Sequence, residues 1–243
     1  MRKILVVTDN GLLYKQIKEI LENEFSDIYP LFTFRRTKLS KKQHLYTDGI
    51  EDLAEVNVKE ECQDIINNYN LVISLHCKQI FPSELVKNIP CVNIHPGYNP
   101  HNRGWYPQVF AIIDKKKLGA TIHLMDEQVD HGAIIARQEV DIESDYTSKE
   151  AYEKVLEAEL DLFKQNIRQI VEGNYKTSQP EFEGEYHSID DYNQLCLLNL
   201  NELVTWSDAI DRLRALSHGA YKNAYFYDEA GNKIFVKIEL TKE

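Results

Sequence analysis

The sequence predicts an α/β protein with a Rossmann-like, mostly parallel sheet and a small C-terminal helix plus β-hairpin appendage. Three observations predict it. Apolar runs (Ile4 to Val7, Leu71 to Leu75, Cys91 to Ile94) alternate with segments of helical periodicity, the order that builds parallel strands joined by right-handed crossovers. Those runs are apolar throughout rather than alternating, as expected of strands covered on both faces. Past residue 183 the pattern changes to one short helical face and two alternating stretches. A chain of 243 residues can bury a substantial core, and the expected division is a domain over 1–183 and an appendage over 184–243.

Ile4 to Val7 is the first strand; Thr8-Asp9-Asn10-Gly11 leads into a helix with Leu13, Ile17, Ile20, Leu21 and Phe25 on one face. Ile28 to Phe34 reads as the second strand, followed by a polar, basic loop from Arg35 to His44. A helix near Lys59 to Tyr69, a strand at Leu71 to Leu75, a short helix at Phe81 to Lys87 and a strand at Cys91 to Ile94 complete the first half. No GxGxxG follows the first strand, so the fold implies no dinucleotide. Pro107 to Asp114 reads as a helix, and Leu118 to Leu124 and Ala133 to Ile142 as strands. Thr147 or Ser148 caps a long helix that runs to about Val171 and ends at Gly173. Gln179 to Gly184 reads as a linker. In the tail, Ile210, Leu213 and Leu216 share a helical face, and Asn223 to Asp228 with Lys233 to Leu240 form a hairpin around Gly231-Asn232.

Composition excludes several function classes. The net charge is −11, and the basic residues cluster only at Arg35-Arg36 and Lys115–Lys117, which disfavours a nucleic-acid partner held by its phosphates. Cys62, Cys77, Cys91 and Cys196 form no CxxC pair, so free thiols in a reducing compartment are expected. The N-terminal apolar run is too short for a signal peptide and no segment approaches membrane-spanning length, so the expected location is cytoplasmic. His44, His76, His101, His123, His131, His187 and His218 show no tight ligand spacing, and no metal is expected.

The chemistry concentrates where the fourth strand ends. Asn93 and His95 sit two residues apart on it and project to one side. A buried amide and imidazole are costly in a core and useful in a site, although hydrogen bonds that merely pin the following loop are the alternative. Open parallel sheets bind ligands at the carboxyl ends of their strands, and the loop from Asp126 to Gly132 can return Asp130 to that point. An imidazole that takes a proton, an amide that donates to an oxyanion and a carboxylate that orients the imidazole divide the work of acyl transfer. No Ser or Cys lies between Asn93 and Tyr106, which favours direct transfer over a covalent intermediate.

The order Asn93-x-His95, Pro100-x-x-x-Gly104 and Asp130-x-Gly132 resembles the formyltransferases that use 10-formyltetrahydrofolate. The resemblance implies that Asn93 stabilises the oxyanion, that His95 is the base and that Asp130 holds it. Where that family usually reads His-x-Ser-Leu-Leu-Pro, this chain has His95-Pro-Gly-Tyr-Asn-Pro100. The run from Asn93 through Asn102-Arg-Gly-Trp-Tyr-Pro-Gln108 is similar to the sugar N-formyltransferases, and Asp211-Arg-Leu-Arg-Ala-Leu to Asn223-Ala-Tyr-Phe to their C-terminal region. What this implies is formyl transfer from 10-formyltetrahydrofolate, as co-substrate, to the 4-amino group of a dTDP-4-amino-4,6-dideoxyhexose for O-antigen synthesis. A 3-amino acceptor, a formyl-folate hydrolase and a non-catalytic nucleotide-sugar binder are the rivals. By the same resemblance Lys78, Gln79, Ile80 and Phe81 form one folate wall, and Asp126, Glu127, Gln128 and Val129 the other. Asn10 and Tyr14 are candidates for contacting the sugar nucleotide, Arg35, Arg36 and Lys78 for its diphosphate, and Trp105 and Tyr106 for the sugar. Helix caps, turns, solvated charges and packing are the ordinary alternatives for these positions. Tyr221 and Tyr225 are expected to pack the hairpin, whose apolar residues predict a homodimer.

Overall fold

The computed structural model describes residues 2–38 and 49–243. Strand β1 (Ile4–Thr8) is buried throughout and runs into helix α1 (Gly11–Glu24), where the Asn10 side chain caps the first turn by accepting from the Leu13 N–H. The second strand, β2 (Phe32–Arg35), starts later than expected. Pro30 lacks the N–H that a ladder needs, and Tyr29–Leu31 form a 3-10 turn instead. The last part of the basic loop, including His44, lies outside the described residues. Helix α2 (Cys62–Asn68), strand β3 (Leu71–Leu75), helix α3 (Ser83–Asn88) and strand β4 (Cys91–His95) follow.

Beyond the two-residue strand β5 (Arg103–Gly104) come α4 (Pro107–Asp114), β6 (Leu118–Leu124), β7 (Ile134–Val140) and the long helix α5 (Ser148–Glu172). Thr147 caps α5 in a capping box with Glu150, and Gly173 ends it with a left-handed φ of 74°. The tail holds β8 (Tyr186–His187), α6 (Ile189–Cys196), α7 (Trp206–Leu216) and the hairpin β9 (Tyr225–Tyr227) with β10 (Lys233–Phe235), shorter than the alternation suggested.

The main sheet has the order β2-β1-β3-β4-β6-β7. β2, β1, β3 and β4 run parallel; β6 runs antiparallel to β4, and β7 antiparallel to β6. The last pair is joined without a crossover helix, so it can only be antiparallel. One apolar layer packs α1 and α5 on one face of the sheet, with Leu13, Ile17, Leu156 and Phe163 in its core. A second packs α2 and α3 on the other face, through Ile65 and Leu85. A third joins α4, α5 and α7 through Ile112, Val155 and Leu216. The chain reverses direction across the sheet between β1 and β3, which opens a crevice at their carboxyl ends. Among the described residues no helix is long and apolar enough to cross a membrane.

Candidate active site

A cavity of about 510 Å3 opens over the carboxyl ends of β1, β3 and β4. β4 brings Asn93 and His95 to its floor, both buried. The loop between β6 and β7 arches back over them, tied by Met125 N–H to the Cys91 carbonyl (2.8 Å) and by Leu124 N–H to the Ala133 carbonyl (2.9 Å). That loop delivers Asp130. Its Oδ1 accepts from Asn93 Nδ2 at 2.9 Å, its Oδ2 accepts from the Gly104 N–H at 3.1 Å, and the same oxygen faces His95 Nδ1 at 3.4 Å. With Nδ1 as the donor towards a carboxylate, the lone pair of His95 lies on Nε2. Nε2 is buried and has no hydrogen-bond partner, the condition of a nitrogen kept for a substrate.

Burial pushes the His95 imidazole down to about 4 against the pull of Asp130, so the ring is neutral and able to accept a proton at neutral pH. For Asp130, burial alone would raise the carboxyl, but the His95 and His123 rings and the Gly104 N–H outweigh it and hold it well below the usual carboxylate range. Three residues on the cavity wall, His76, Tyr106 and Asp130, adopt left-handed backbone angles (φ 55°, 51° and 50°), the strained geometry that tends to collect at working sites.

The two walls expected to hold folate both line the cavity: Lys78, Gln79, Ile80 and Phe81 after β3, and Asp126, Glu127, Gln128 and Val129 in the loop opposite. Internal bonds hold them in place. The Lys78 N–H donates to Asp9 Oδ2 (2.9 Å), Gln79 Oε1 accepts from the Val58 N–H (2.8 Å), and Glu127 pairs with Lys87 (2.5 Å). Asn10, Trp105 and Tyr106 line the same cavity.

Three candidates are corrected. Arg35 and Arg36 point away and pair with Glu61 and Glu55 at 2.8 Å each; Arg35 borders a separate hollow of about 390 Å3. In so acidic a chain these guanidiniums are neutralised by nearby carboxylates. Tyr14 does not line the cavity but packs edge-on against Phe34, with ring centroids 5.1 Å apart. Lys78 is therefore the one Lys or Arg side chain on the cavity wall among the described residues. Tyr221, expected to pack the hairpin, lines the cavity as well.

The sequence reading missed other wall residues. His123 lies directly across from Asn93 in the sheet, with Nε2 3.3 Å from Asn93 Nδ2 and 3.5 Å from Asp130 Oδ1. A histidine interrupting the apolar run of β6 was the legible signal. Tyr152, Tyr192 and His218 also line the cavity, and Tyr192 packs on Tyr106 with centroids 4.1 Å apart. They come from α5 and the tail, distant in sequence. Among the described residues no group of three His, Cys, Asp or Glu side chains is placed to hold a metal ion.

Comparison with known proteins agrees with this geometry. Residues 32–167 match the Formyl transferase family, and residues 191–242 the N-formyltransferase dimerization C-terminal domain. The chain is 45% identical over 187 residues (77% of this chain, 80% of the relative) to the dTDP-4-amino-4,6-dideoxyglucose formyltransferase of Mycobacterium tuberculosis. A sugar N-formyltransferase from a Shewanella species has the same fold with a TM-score of 0.94 at 42% identity, covering 100% of this chain and 99% of that one. A 4-N formyltransferase from Francisella tularensis gives 0.89 at 42% identity, with the same coverage. With a site of this geometry at the carboxyl ends of its sheet and these matches along its length, the chain belongs to the formyl transferase family, as a sugar N-formyltransferase.

Proposed function

We propose that the protein transfers a formyl group from 10-formyltetrahydrofolate to the 4-amino group of dTDP-4-amino-4,6-dideoxyglucose, for O-antigen synthesis. The observation that carries this reading is the unpartnered His95 Nε2, beside the Asn93 amide, in a cavity lined by both apolar loop residues and a set of polar aromatic side chains. In the two loop walls Ile80, Phe81, Met125 and Val129 offer apolar cover for a flat pterin. Asn10, Trp105, Tyr106 and the tyrosines of α5 and the tail line the same cavity and suit a sugar nucleotide. The 45% identity to a relative that bears this activity in its name favours the 4-amino acceptor.

In the reaction His95 takes a proton from the attacking amine through Nε2, while Asp130 fixes the ring through Nδ1. Asn93 is the amide donor to the developing oxyanion: one Nδ2 hydrogen stays on Asp130 Oδ1 at 2.9 Å, and the other, which in the resting site faces His123 Nε2 at 3.3 Å, turns from that ring to the oxyanion. Lys78 is the side-chain cation offered to the diphosphate, and the N-terminal end of α5 brings Ser148 to the same cavity. Burial lowers the Lys78 ammonium and Asp9 opposes that, so an arriving dianion would reinforce its charge. The reading extends to a cytoplasmic homodimer in which residues 184–243 are the association element. Leu203 (99% exposed) and Trp206 (85%) stand out from this region, and it carries the dimerization-domain match.

The test is incubation with 10-formyltetrahydrofolate alone and with a panel of dTDP-3-amino and dTDP-4-amino sugars. Acceptor-dependent release of tetrahydrofolate, fastest with the 4-amino gluco sugar, is expected. Steady formate release without acceptor, or no turnover with any acceptor, would overturn the reading.

A further inference from the structure

Directly beside His95 lies a second imidazole–carboxylate pair. The register between β3 and β4 sets Ser74 against Asn93 and Leu75 against Ile94, so His76, the next residue, emerges next to His95. His76 Nε2 lies 2.9 and 3.0 Å from the two oxygens of Glu159, a carboxylate on α5 with no exposed surface. His76 Nδ1 faces the Asn10 amide nitrogen at 3.1 Å and the Tyr152 hydroxyl at 3.4 Å; those two groups are 3.2 Å apart. Asn10 holds its own orientation because its Oδ1 caps α1, so its nitrogen must point at His76 and Tyr152. Nδ1 therefore carries a lone pair and Nε2 donates to Glu159. His76, Asn10 and Tyr152 all line the cavity at the crevice between β1 and β3.

Formyl transfer leaves one proton unaccounted for by His95. An alkyl amine in water is largely an ammonium and must lose two protons to become an amide. His95 moves one of them: it takes it from the attacking nitrogen and returns it to the folate nitrogen as the C–N bond to that nitrogen breaks. The other must leave before attack, because an ammonium has no lone pair. We propose that the His76–Glu159 pair accepts this first proton, with the Tyr152 hydroxyl as the relay, so that the enzyme binds the acceptor as its ammonium and makes the nucleophile inside the cavity; this rests on the function proposed above.

The balance is simple. The ammonium gives a proton to the Tyr152 oxygen as that hydroxyl passes its own to His76 Nδ1; Asn10, already within reach of Tyr152, keeps its hydrogen bond there. The freed amine pair forms the new N–C bond, the carbonyl electrons move to oxygen, His95 takes the second proton, and collapse expels the folate nitrogen with that proton. The proton on His76 returns to water once product leaves. The titratable groups facing His76 are Glu159 and Tyr152 of α5 and His95 of β4, with the His218 ring next to Tyr152 (centroids 5.8 Å apart). Asp9 and Lys78, on the flanking loops, are joined to each other through the Lys78 N–H. Burial pushes the Glu159 carboxyl up while His76 pulls it down, so a proton delivered to the ring is shared with a basic carboxylate. His76 is thus a catalytic residue of the acceptor side, and Glu159 its positioning partner.

The test is the pH dependence of kcat/KM for the acceptor in the wild type, His76→Asn and Glu159→Gln, against the amine pKa titrated separately on the free sugar. The wild type is expected to hold kcat/KM well below the amine pKa. Both variants should instead lose about tenfold per pH unit below it and recover towards wild type above it, with 5-formyltetrahydrofolate binding intact. A wild type that already falls tenfold per unit below the amine pKa overturns the inference. So does a uniform loss at every pH in a variant that still binds the folate. If one variant fails to bind folate, the other decides. A wild type inactive on every dTDP-amino sugar overturns the proposed function, and with it the inference, which keeps the two failures apart.

Discussion

Gly97 shows how tightly the residues around His95 are set. A Cβ at this position would come within 2.4 Å of His95 Nε2 and 3.2 Å of Pro107 Cβ, so any side chain must displace the base or the start of α4. Gly97→Ala is expected to cut kcat more than tenfold while folate binding is retained; wild-type kcat in that variant would mean that His95 Nε2 is not the working atom. His95 also makes a stability prediction. Its folded value, about 4, lies below the unfolded value near 6.5, so the unfolded chain binds the extra proton first as pH falls. The stability tied to a neutral His95 is complete above about pH 6.5 and is lost as pH drops towards 4. Urea melts should show a shallower decline over that window for His95→Gln than for the wild type; parallel declines would count against a neutral buried ring. At this scale the sequence was readable where spacing fixes geometry. Asn93 and His95 share a strand face by necessity, and Glu159 falls on the apolar helical stripe of Val155, Leu162 and Phe163, though its meaning emerges only once His76 lies opposite. Arg35 and Arg36 were misread because their partners, Glu61 and Glu55, are chosen by folding rather than by spacing.

Helix α5 links the stability of the fold to the site. Its first turn is fixed by Thr147 and Glu150, its Ser148 and Tyr152 line the cavity, and Glu159 sits two turns further along. Thr147→Ala removes one half of the capping box and is expected to cost about 1 kcal/mol, which lowers Tm by about 2–4 °C in a chain of this size. Because the helix start lines the cavity at the groups proposed to meet the acceptor, the acceptor KM should rise in this variant while the folate KM stays put; equal changes in both would place α5 outside the acceptor site. Helix boundaries were the most legible part of the chain, since Asn10, Thr147 and Gly173 announce them. Strand direction was not, because periodicity is the same for parallel and antiparallel strands. The antiparallel course of β6 and β7 follows from their connection. The small helix α6 was missed despite the Ser188–Asp191 capping pair that starts it.

At the scale of the molecule, the apolar surface of the tail needs a partner. Leu200, Leu203 and Val204 just before α7 and Trp206 at its first position are exposed, and the hairpin adds Tyr227 and Phe235. Light scattering at micromolar concentration is expected to show a dimer, and Leu203→Glu with Trp206→Glu a monomer that still binds folate; a wild-type monomer would remove the role given to residues 184–243. The hairpin was legible from its alternation, but the larger apolar exposure lies just before α7 and at its first residue, in a stretch whose sequence has no periodicity to betray it. The whole reading turns on an oxyanion stabilised by one buried amide, so the decisive measurement is turnover by Asn93→Ala under saturating co-substrate and acceptor, with binding of both followed by calorimetry. A fall of about a hundred- to a thousandfold with both ligands still bound is the predicted result; near-normal turnover would contradict it.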